Sequence, residues 1–574
     1  MRLLPDNAAL INSRAGFFFA LCFLLLSAPL FSLDFYSEAP PEELARGLLE
    51  AMSDEEALAQ TFMLGWKDTA LGPSPLIQEW IRQRKIGAVK VFGQNTNNIE
   101  QLARAIGVFQ RLSEAGAAKI PLLVATDQEG GRVRHVRDGV SESPGAMAVG
   151  ASGFPEDAYK LGFFIGRELA ALGINMNFAP AVDLFTNHDS ELIGTRSFGD
   201  DPVKTGILAM AFARGQLAAG VIPTAKHFPG HGDTPKDSHG TLPELDVDFD
   251  TLWERELVPY RMLSKDGIPA VMTGHLAFPK TEGGALPASL SPYFIGEVLR
   301  GKLKYGGLVV TDELAMNGAT YSTGSLSSTA KAAIMAGNDL IVIMDTPSLD
   351  APVWTSLVDA MRRDEAFRLR VRDAALHVLL AKLRYLRASA AARIPDPVRL
   401  ADAVPDPEAA AFYQSLAARS VTVLRRKDGG LPLPAAKAGR VLLCYPPKIE
   451  DRSLFLAAGK RAYPGAWGIW YDFNNSSRST LLSLASEADT IVFYLEDRKE
   501  ELDVLNSLRP LGKRVIVLSV LSPRSLKFLK PLSWVDGVVA IYSNSSDSIA
   551  AGFSALTGRI ESQGVIPFLI EQAF

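Results

Sequence analysis

Cysteine is almost missing from this 574-residue chain, which contains Cys22 and Cys444 and no other. Cys22 lies in an apolar N-terminal run, so removal of that run leaves one thiol and no internal disulfide. The fold has to rest on core packing. Charge of one sign is also lacking: the formal net charge is −5, with 21% charged and 47% hydrophobic residues. That balance gives no electrostatic reason to expect a nucleic-acid partner. G-x-S-x-G is absent, which disfavours a serine hydrolase, and neither a P-loop nor a GxGxxG fingerprint occurs. There is no low-complexity segment.

What the chain does have begins at its N-terminus. Arg2 and Arg14 precede the uncharged run GFFFALCFLLLSAPLFSL, Gly16 to Leu33, and Asp34 follows. A positive flank, an apolar segment and the small residues Ser27, Ala28 and Ser32 have the layout of an export signal. No A-x-A site stands out, so an uncleaved membrane anchor is the alternative, near the lower length limit for a span. FALC lacks a small residue just before Cys22, which disfavours lipid attachment. The expectation is an exported protein, periplasmic or extracellular, with residues 1–33 as signal or anchor.

The length exceeds one hydrophobic core and predicts two domains. From about residue 55 to 345, eight apolar runs alternate with amphipathic stretches: AQTFMLGW, IGAVKVFG, PLLVATD, INMNFAPAVDL, GVIPTAKHF, PAVMTGHLA, GGLVVTDEL and AGNDLIVIMD. They are rich in Val, Ile and Leu, as strands buried on both faces should be. Eight strand–helix alternations predict an α/β fold with a (β/α)8 barrel over 34–390 and a site at its C-terminal strand ends. Asp127, Asp183, Lys226, His227, His275 and Asp312 each fall at or just after the end of an apolar run. Residues 391–419, rich in proline and charge, read as a linker. A smaller α/β domain over 420–574 follows, with runs RVLLCYP, TIVFYLED, RVIVLSVL and GVVAIYS.

KHFPGHGDTPKDSHG, residues 226–240, packs His227, His231 and His239 into a short stretch of a chain with seven histidines. His227 and His231 have the i, i+4 spacing of a zinc helix, but Pro229, Gly230 and Gly232 interrupt it and no HExxH glutamate is present. No metal is expected. A polar loop whose histidines satisfy backbone groups is the bland alternative. The chemical alternative is a proton shuttle: Asp237, two residues before His239, can hold one imidazole nitrogen and raise the basicity of the other. Gly232 and Gly240 would let that loop move. Asp312, directly after an apolar strand, is the partner carboxylate, or otherwise a helix N-cap.

KHFPGHGDT followed by DSH resembles the signature of the bacterial β-N-acetylglucosaminidases of glycoside hydrolase family three. DQEGG, NFAPAVDL, IGTRSFGDDP, LPASLSP and VVTDELAM follow in that family's order, and SVTVLRRKDGGLPLP and ALTGRIESQGVIPF resemble the ends of its second domain. The resemblance implies Asp312 as nucleophile, and His239 as acid/base oriented by Asp237. It implies Asp127, Arg196, Lys226 and His227 as the grip on the terminal sugar, and no cofactor. Where the family has a sugar-binding arginine eight residues after the aspartate of DQEGG, this chain has His135, preceded by Arg134; either could take that contact. His231 and Asp233 are expected to shape the loop, and His275 to line the pocket or support its wall.

The expected activity is release of N-acetylglucosamine from non-reducing ends, with retention of configuration and with peptidoglycan fragments or related amino-sugar chains as substrate. A β-glucosidase of the same family would lack the DSH loop. A phosphorylase stays open, because an uncharged imidazole also tolerates an arriving phosphate. From another class, a non-catalytic carbohydrate-binding cell-wall protein has no need of Asp237, His239 and Asp312 together.

Overall fold

Each of the eight apolar runs holds one strand. In the computed structural model, which describes residues 33–69, 72–238, 240–392, 394–447, 449–529 and 531–570, these are β1 (Phe62–Gly65), β2 (Ala88–Lys90), β3 (Leu123–Thr126), β4 (Met176–Asn177), β5 (Ile222–Phe228), β6 (Ala270–Thr273), β7 (Leu308–Glu313) and β8 (Leu340–Ile343). Each is parallel to its sequence neighbours, and β1 pairs with β8 as well as β2, closing a barrel. The N-terminal run read as signal or anchor lies outside the described residues, apart from Leu33 at its end.

Strand alternation divides the side chains into two sets. Met63, Ala88, Leu123, Ala125, Ile222, Ala270, Met272, Leu308, Val310, Leu340 and Val342 fill the barrel interior. Their neighbours, among them Leu64, Val89, Val124, Ala225, Val271, Val309 and Ile341, pack outward against the helices. Both faces are buried, which is why the runs show no polar alternation.

The second domain is a six-stranded sheet of β9 (Thr422–Arg426), β10 (Val441–Tyr445), β11 (Trp467–Trp470), β12 (Thr490–Leu495), β13 (Arg514–Ser519) and β14 (Gly537–Ala540), in the order β9-β14-β13-β12-β10-β11. Only the β9–β14 pairing is antiparallel. Cys444 is buried in this sheet.

The segment read as a linker is mostly helix. Helices Pro397–Ala403 and Pro407–Ser420 each start on a proline and are capped by the side chains of Asp396 and Asp406. Proline at the first helical position loses no intrahelical hydrogen bond, so here it begins helices and breaks none. Phe412, Tyr413 and Leu416 join the barrel core while Ala417 and Val421 join that of the second domain. The domains are therefore joined by a packed helix.

One buried amine sits at the opposite end of the barrel from the predicted site. Lys382, in helix Glu365–Tyr385, is fully buried and donates to Gln60 Oε1 at 2.8 Å. Burial pulls its ammonium down to about 7, against about 10.4 in an unfolded chain. Between those values the unfolded chain carries the extra proton, so the fold gains stability as pH rises. We expect the Tm of the wild type to climb relative to that of Lys382→Met between about pH 7 and about pH 10. Parallel curves would mean that Lys382 stays charged in the fold.

Candidate active site

The inward register of the barrel ends in charge. Lys90 is two residues beyond inward Ala88, Asp127 two beyond Ala125, Lys226 four beyond Ile222, and Asp312 two beyond Val310. All four project at the C-terminal mouth, where barrel sites are built. Lys90 Nζ pairs with Asp127 Oδ2. Lys226 Nζ reaches Asp127 Oδ1 and Glu129 Oε1, both at 2.6 Å. Glu129 in turn holds Arg196 at two points, Nη2–Oε1 2.7 Å and Nε–Oε2 2.9 Å.

Burial works to raise the carboxyls of this network, and the cations outweigh it. Lys226 and Lys90 hold Asp127 well below the usual carboxylate range. Arg196 and Lys226 bring Glu129 down to about 2. Asp312 is also lowered against burial, by His227 and His275 first and then by the Glu313 backbone N–H, which donates to Oδ1 at 2.8 Å. Adjacent Glu313 differs: burial pushes its carboxyl up to about 8. Of these two neighbouring acids, Asp312 is the one ionised at neutral pH.

The histidine loop is pinned from below by Asp183. Its Oδ2 accepts from His227 Nδ1 at 2.7 Å, and its Oδ1 from the backbone N–H groups of His227 (3.2 Å) and His231 (2.6 Å). With Nδ1 donating, His227 presents Nε2 as an acceptor, and Arg196 Nη2 stands 3.4 Å from it. The Lys226–His227 peptide bond is cis. Further along, Asp233 pairs with Arg255 at 2.6 Å, and the ring of His231 faces Ser238 Oγ at 3.4 Å. Gly232, expected to give the loop freedom, is instead a tight contact: a Cβ there would lie 1.6 Å from the Leu184 carbonyl oxygen.

Most sequence-predicted residues converge. Asp127, Arg196, Lys226 and His227 form one contact network, and Asp312 lies within its field. His239 lies outside the described residues. Asp237 is exposed, and its carbonyl accepts from the N–H groups of Gly240 and Thr241. Of Arg134 and His135, His135 is the one beside Asp127. Its Nδ1 is 3.7 Å from Asp127 Oδ2 and donates to the Val91 carbonyl at 3.2 Å, while Arg134 turns away to Glu142 at 2.7 Å. Burial and Lys90 bring His135 down to about 4, so it is neutral. His275 meets Ser289 Oγ (2.7 Å) and the Glu313 carbonyl (2.9 Å), the contacts of a wall support.

Two residues join the site unannounced, Lys90 and Glu129, and Asp183, marked in the sequence only by its place at the end of an apolar run, serves as the loop's anchor. Glu129 is the second acid of DQEGG and Lys90 a lone lysine inside the apolar IGAVKVFG, and neither position by itself marks a site residue. Among the described residues no group of three or more His, Cys, Asp and Glu is placed to hold a metal.

A model described as the glycosyl hydrolase family 3 N-terminal domain matches residues 56–380. Beta-hexosaminidase A of Pseudoalteromonas piscicida is 30% identical over 381 residues, 62% of this chain and 62% of that protein. The chain thus spans less than two thirds of that relative. A beta-hexosaminidase of Alkalilimnicola ehrlichii is 36% identical over 281 residues, 48% of this chain and 78% of that one. Among solved structures, a family 3 beta-N-acetylglucosaminidase from Paenibacillus sp. FPU-7 aligns with TM-score 0.74 at 29% identity, covering 90% of this chain and 99% of its own.

Asp183 generates a test. Asp183→Ala strips acceptors from three buried donors and should cost about 3 kcal/mol in chemical unfolding. Asp183→Asn keeps one oxygen and should lose less. A loss under about 1 kcal/mol for the alanine variant would mean that another acceptor already serves those groups.

Proposed function

Because the chain belongs to glycosyl hydrolase family 3, we propose that it is a retaining exo-β-N-acetylglucosaminidase acting on terminal N-acetylglucosamine. The observation that carries this reading is an ionised, inward Asp312 beside a fixed set of charged hydrogen-bonding groups at a barrel mouth. Relatives named beta-hexosaminidase and the Paenibacillus beta-N-acetylglucosaminidase support the choice of sugar. The apolar run Gly16–Leu33 supports export, and with it peptidoglycan fragments or other exposed amino-sugar chains as substrate.

In this mechanism Asp312 attacks the anomeric carbon and forms a covalent glycosyl-enzyme. His239, oriented by Asp237, protonates the departing oxygen and then takes a proton from the incoming water. Retaining glycosidases generally use two carboxyl groups about 5–5.5 Å apart. An imidazole in the second place adds no negative charge beside Asp312, so both groups keep the ionisation they need. Asp127 and Glu129 accept from sugar hydroxyls, and Lys226 and Arg196 donate, through bonds stronger than neutral ones. His227 offers Nε2 toward the same space.

Asp312→Ala should abolish turnover of an aryl N-acetyl-β-glucosaminide while leaving the fold intact. His239→Ala should lose roughly 100-fold or more on a natural β-linked disaccharide, and much less on an aryl glycoside whose leaving group needs little protonation. Equal losses on both would remove His239 from the acid/base role. Product analysis with and without phosphate checks the chemistry: free sugar is expected in both, and a sugar phosphate would mean phosphorolysis. No turnover by well-folded protein would favour a binding protein.

A further inference from the structure

Arg196 lies on a long connection. The chain from Phe178 to Asp201 joins β4 to helix Pro202–Ala218, and its one helical turn is Gly194–Arg196. Connections beyond roughly 12–15 residues with so little structure of their own are uncommon in compact domains, and their surroundings have to hold them. Toward the barrel mouth this loop is held by charge, Asp183 under the histidine loop and Arg196 on Glu129. Its outer side has a different support.

That support is the segment Val565–Ile570. It leaves the second domain beside β9, where Val423 N–H donates to Ser562 Oγ and Gly564 N–H to the Val421 carbonyl, both at 3.0 Å. It then runs across the barrel. Val565 N–H donates to the Ala151 carbonyl at 2.9 Å, Asp200 N–H to the Pro567 carbonyl at 3.2 Å, and Leu569 N–H to Asp200 Oδ2 at 2.7 Å. A Cβ on Gly199 would lie 2.2 Å from the Pro567 oxygen, so the two backbones touch. Phe568, 3% exposed, meets Phe185 edge-on at 4.9 Å between ring centres and His188 at 5.1 Å. Leu192 and Ile193 pack in the same apolar cluster, with Met147 and Ala148 of helix Ala146–Ser152.

One step leads from this cluster to the charged network. The Leu192 carbonyl accepts from Arg196 Nη1 at 3.3 Å. Phe185 N–H donates to the Gly199 carbonyl at 2.9 Å, closing the loop around Ser197, whose hydroxyl lies 2.7 Å from the Asp183 carbonyl. Arg196 and Asp183 are thus attached to a backbone whose far side rests on Phe568. We propose that Phe568 is a positioning residue: the segment Val565–Ile570 straps the loop after β4 in place and thereby sets the Arg196 guanidinium for the sugar. The sugar in this statement rests on the glycosidase reading above, and the strap does not. A buried aromatic ring suits the task, since it fills much volume with few rotamers and its removal leaves a cavity into which the loop can relax. The second domain thereby serves the site from behind.

Hydrogen exchange and calorimetry on the full chain separate the packing from the sugar. In Phe568→Ala the amides of Phe185 and Asp200 should exchange about tenfold faster or more, with those of the barrel strands unchanged. Binding of N-acetylglucosamine should weaken about tenfold, the scale for a grip displaced by less than about 1 Å. A merely unfolded fraction would lower the number of sites and leave the affinity as it was. Phe568→Leu, which keeps most of the apolar bulk, should restore most of both readings. Asp200→Ala cuts the contact from the barrel side without opening a cavity and should move both the same way; it carries the test if Phe568→Ala does not fold. In an Arg196→Lys background the effect of Phe568→Ala on affinity should shrink, because changes acting through one contact are not additive. Unchanged exchange, unchanged affinity, or full additivity with Arg196→Lys overturns the proposal. A wild type that binds no N-acetylglucosamine, with exchange still rising in Phe568→Ala, removes the sugar reading and leaves the strap in place.

Discussion

The structure turns on a largely buried network of matched charges. Lys90, Lys226 and Arg196 supply three cations, and Asp127, Glu129 and Asp312 three anions, at one end of a barrel filled elsewhere with aliphatic side chains. Charges taken out of water are tolerated only when matched and hydrogen-bonded. Within the paired set of Lys90, Asp127, Lys226, Glu129 and Arg196, removing one member leaves its partner stranded, so each residue type is fixed by the others. The network exists because β2, β3, β5 and β7 each carry a charged residue in the inward register at or just beyond the C-terminal part of the strand. A shift of one residue in any of them would turn its charge into the helix layer.

The loop after β5 obeys a similar constraint with a different donor set. Asp183 sits under it and accepts from one ring and two backbone N–H groups, which settles the tautomer of His227 and the path of the chain through His231. Gly232 against Leu184 and the Arg255–Asp233 pair continue the anchorage. The stretch from Pro229 to Asp233 is thus held in place. Any swing of the loop has to hinge beyond it, around the exposed segment 235–237 and Gly240.

Much of this was readable from sequence because barrel physics makes it so. A strand buried on both faces is an unbroken apolar run, so the eight strands announced themselves, and a polar residue at the end of such a run marks the mouth. Asp127, Lys226 and Asp312 were visible on that ground. Lys90 was not, since a lysine between two valines reads as part of its strand until Asp127 is seen opposite. Glu129 depends on a two-stranded hairpin that folds it back over Lys226, a turn no local pattern specifies. Arg134 and His135 are neighbours on that hairpin, and only the register decides which faces Asp127. Pro397 and Pro407 misled for a related reason: proline marks a helix start as well as a break, and packing decides between them.

The charge count bears on the proposed acid/base. With three cations set against three anions, the mouth has no spare positive charge to keep a fourth carboxylate ionised. A second carboxyl close to Asp312 would raise both proton affinities, as burial already does for Glu313, pushed up to about 8. A neutral imidazole avoids that conflict. In the proposed mechanism the imidazolium gives its proton to the departing oxygen while Asp312 becomes bonded to sugar, stands neutral beside the intermediate, and becomes positive again when it takes a proton from the water that frees Asp312. The balanced mouth and the histidine loop are then two sides of one electrostatic arrangement: the first fixes where charge stands before the reaction, and the second supplies the charge that moves.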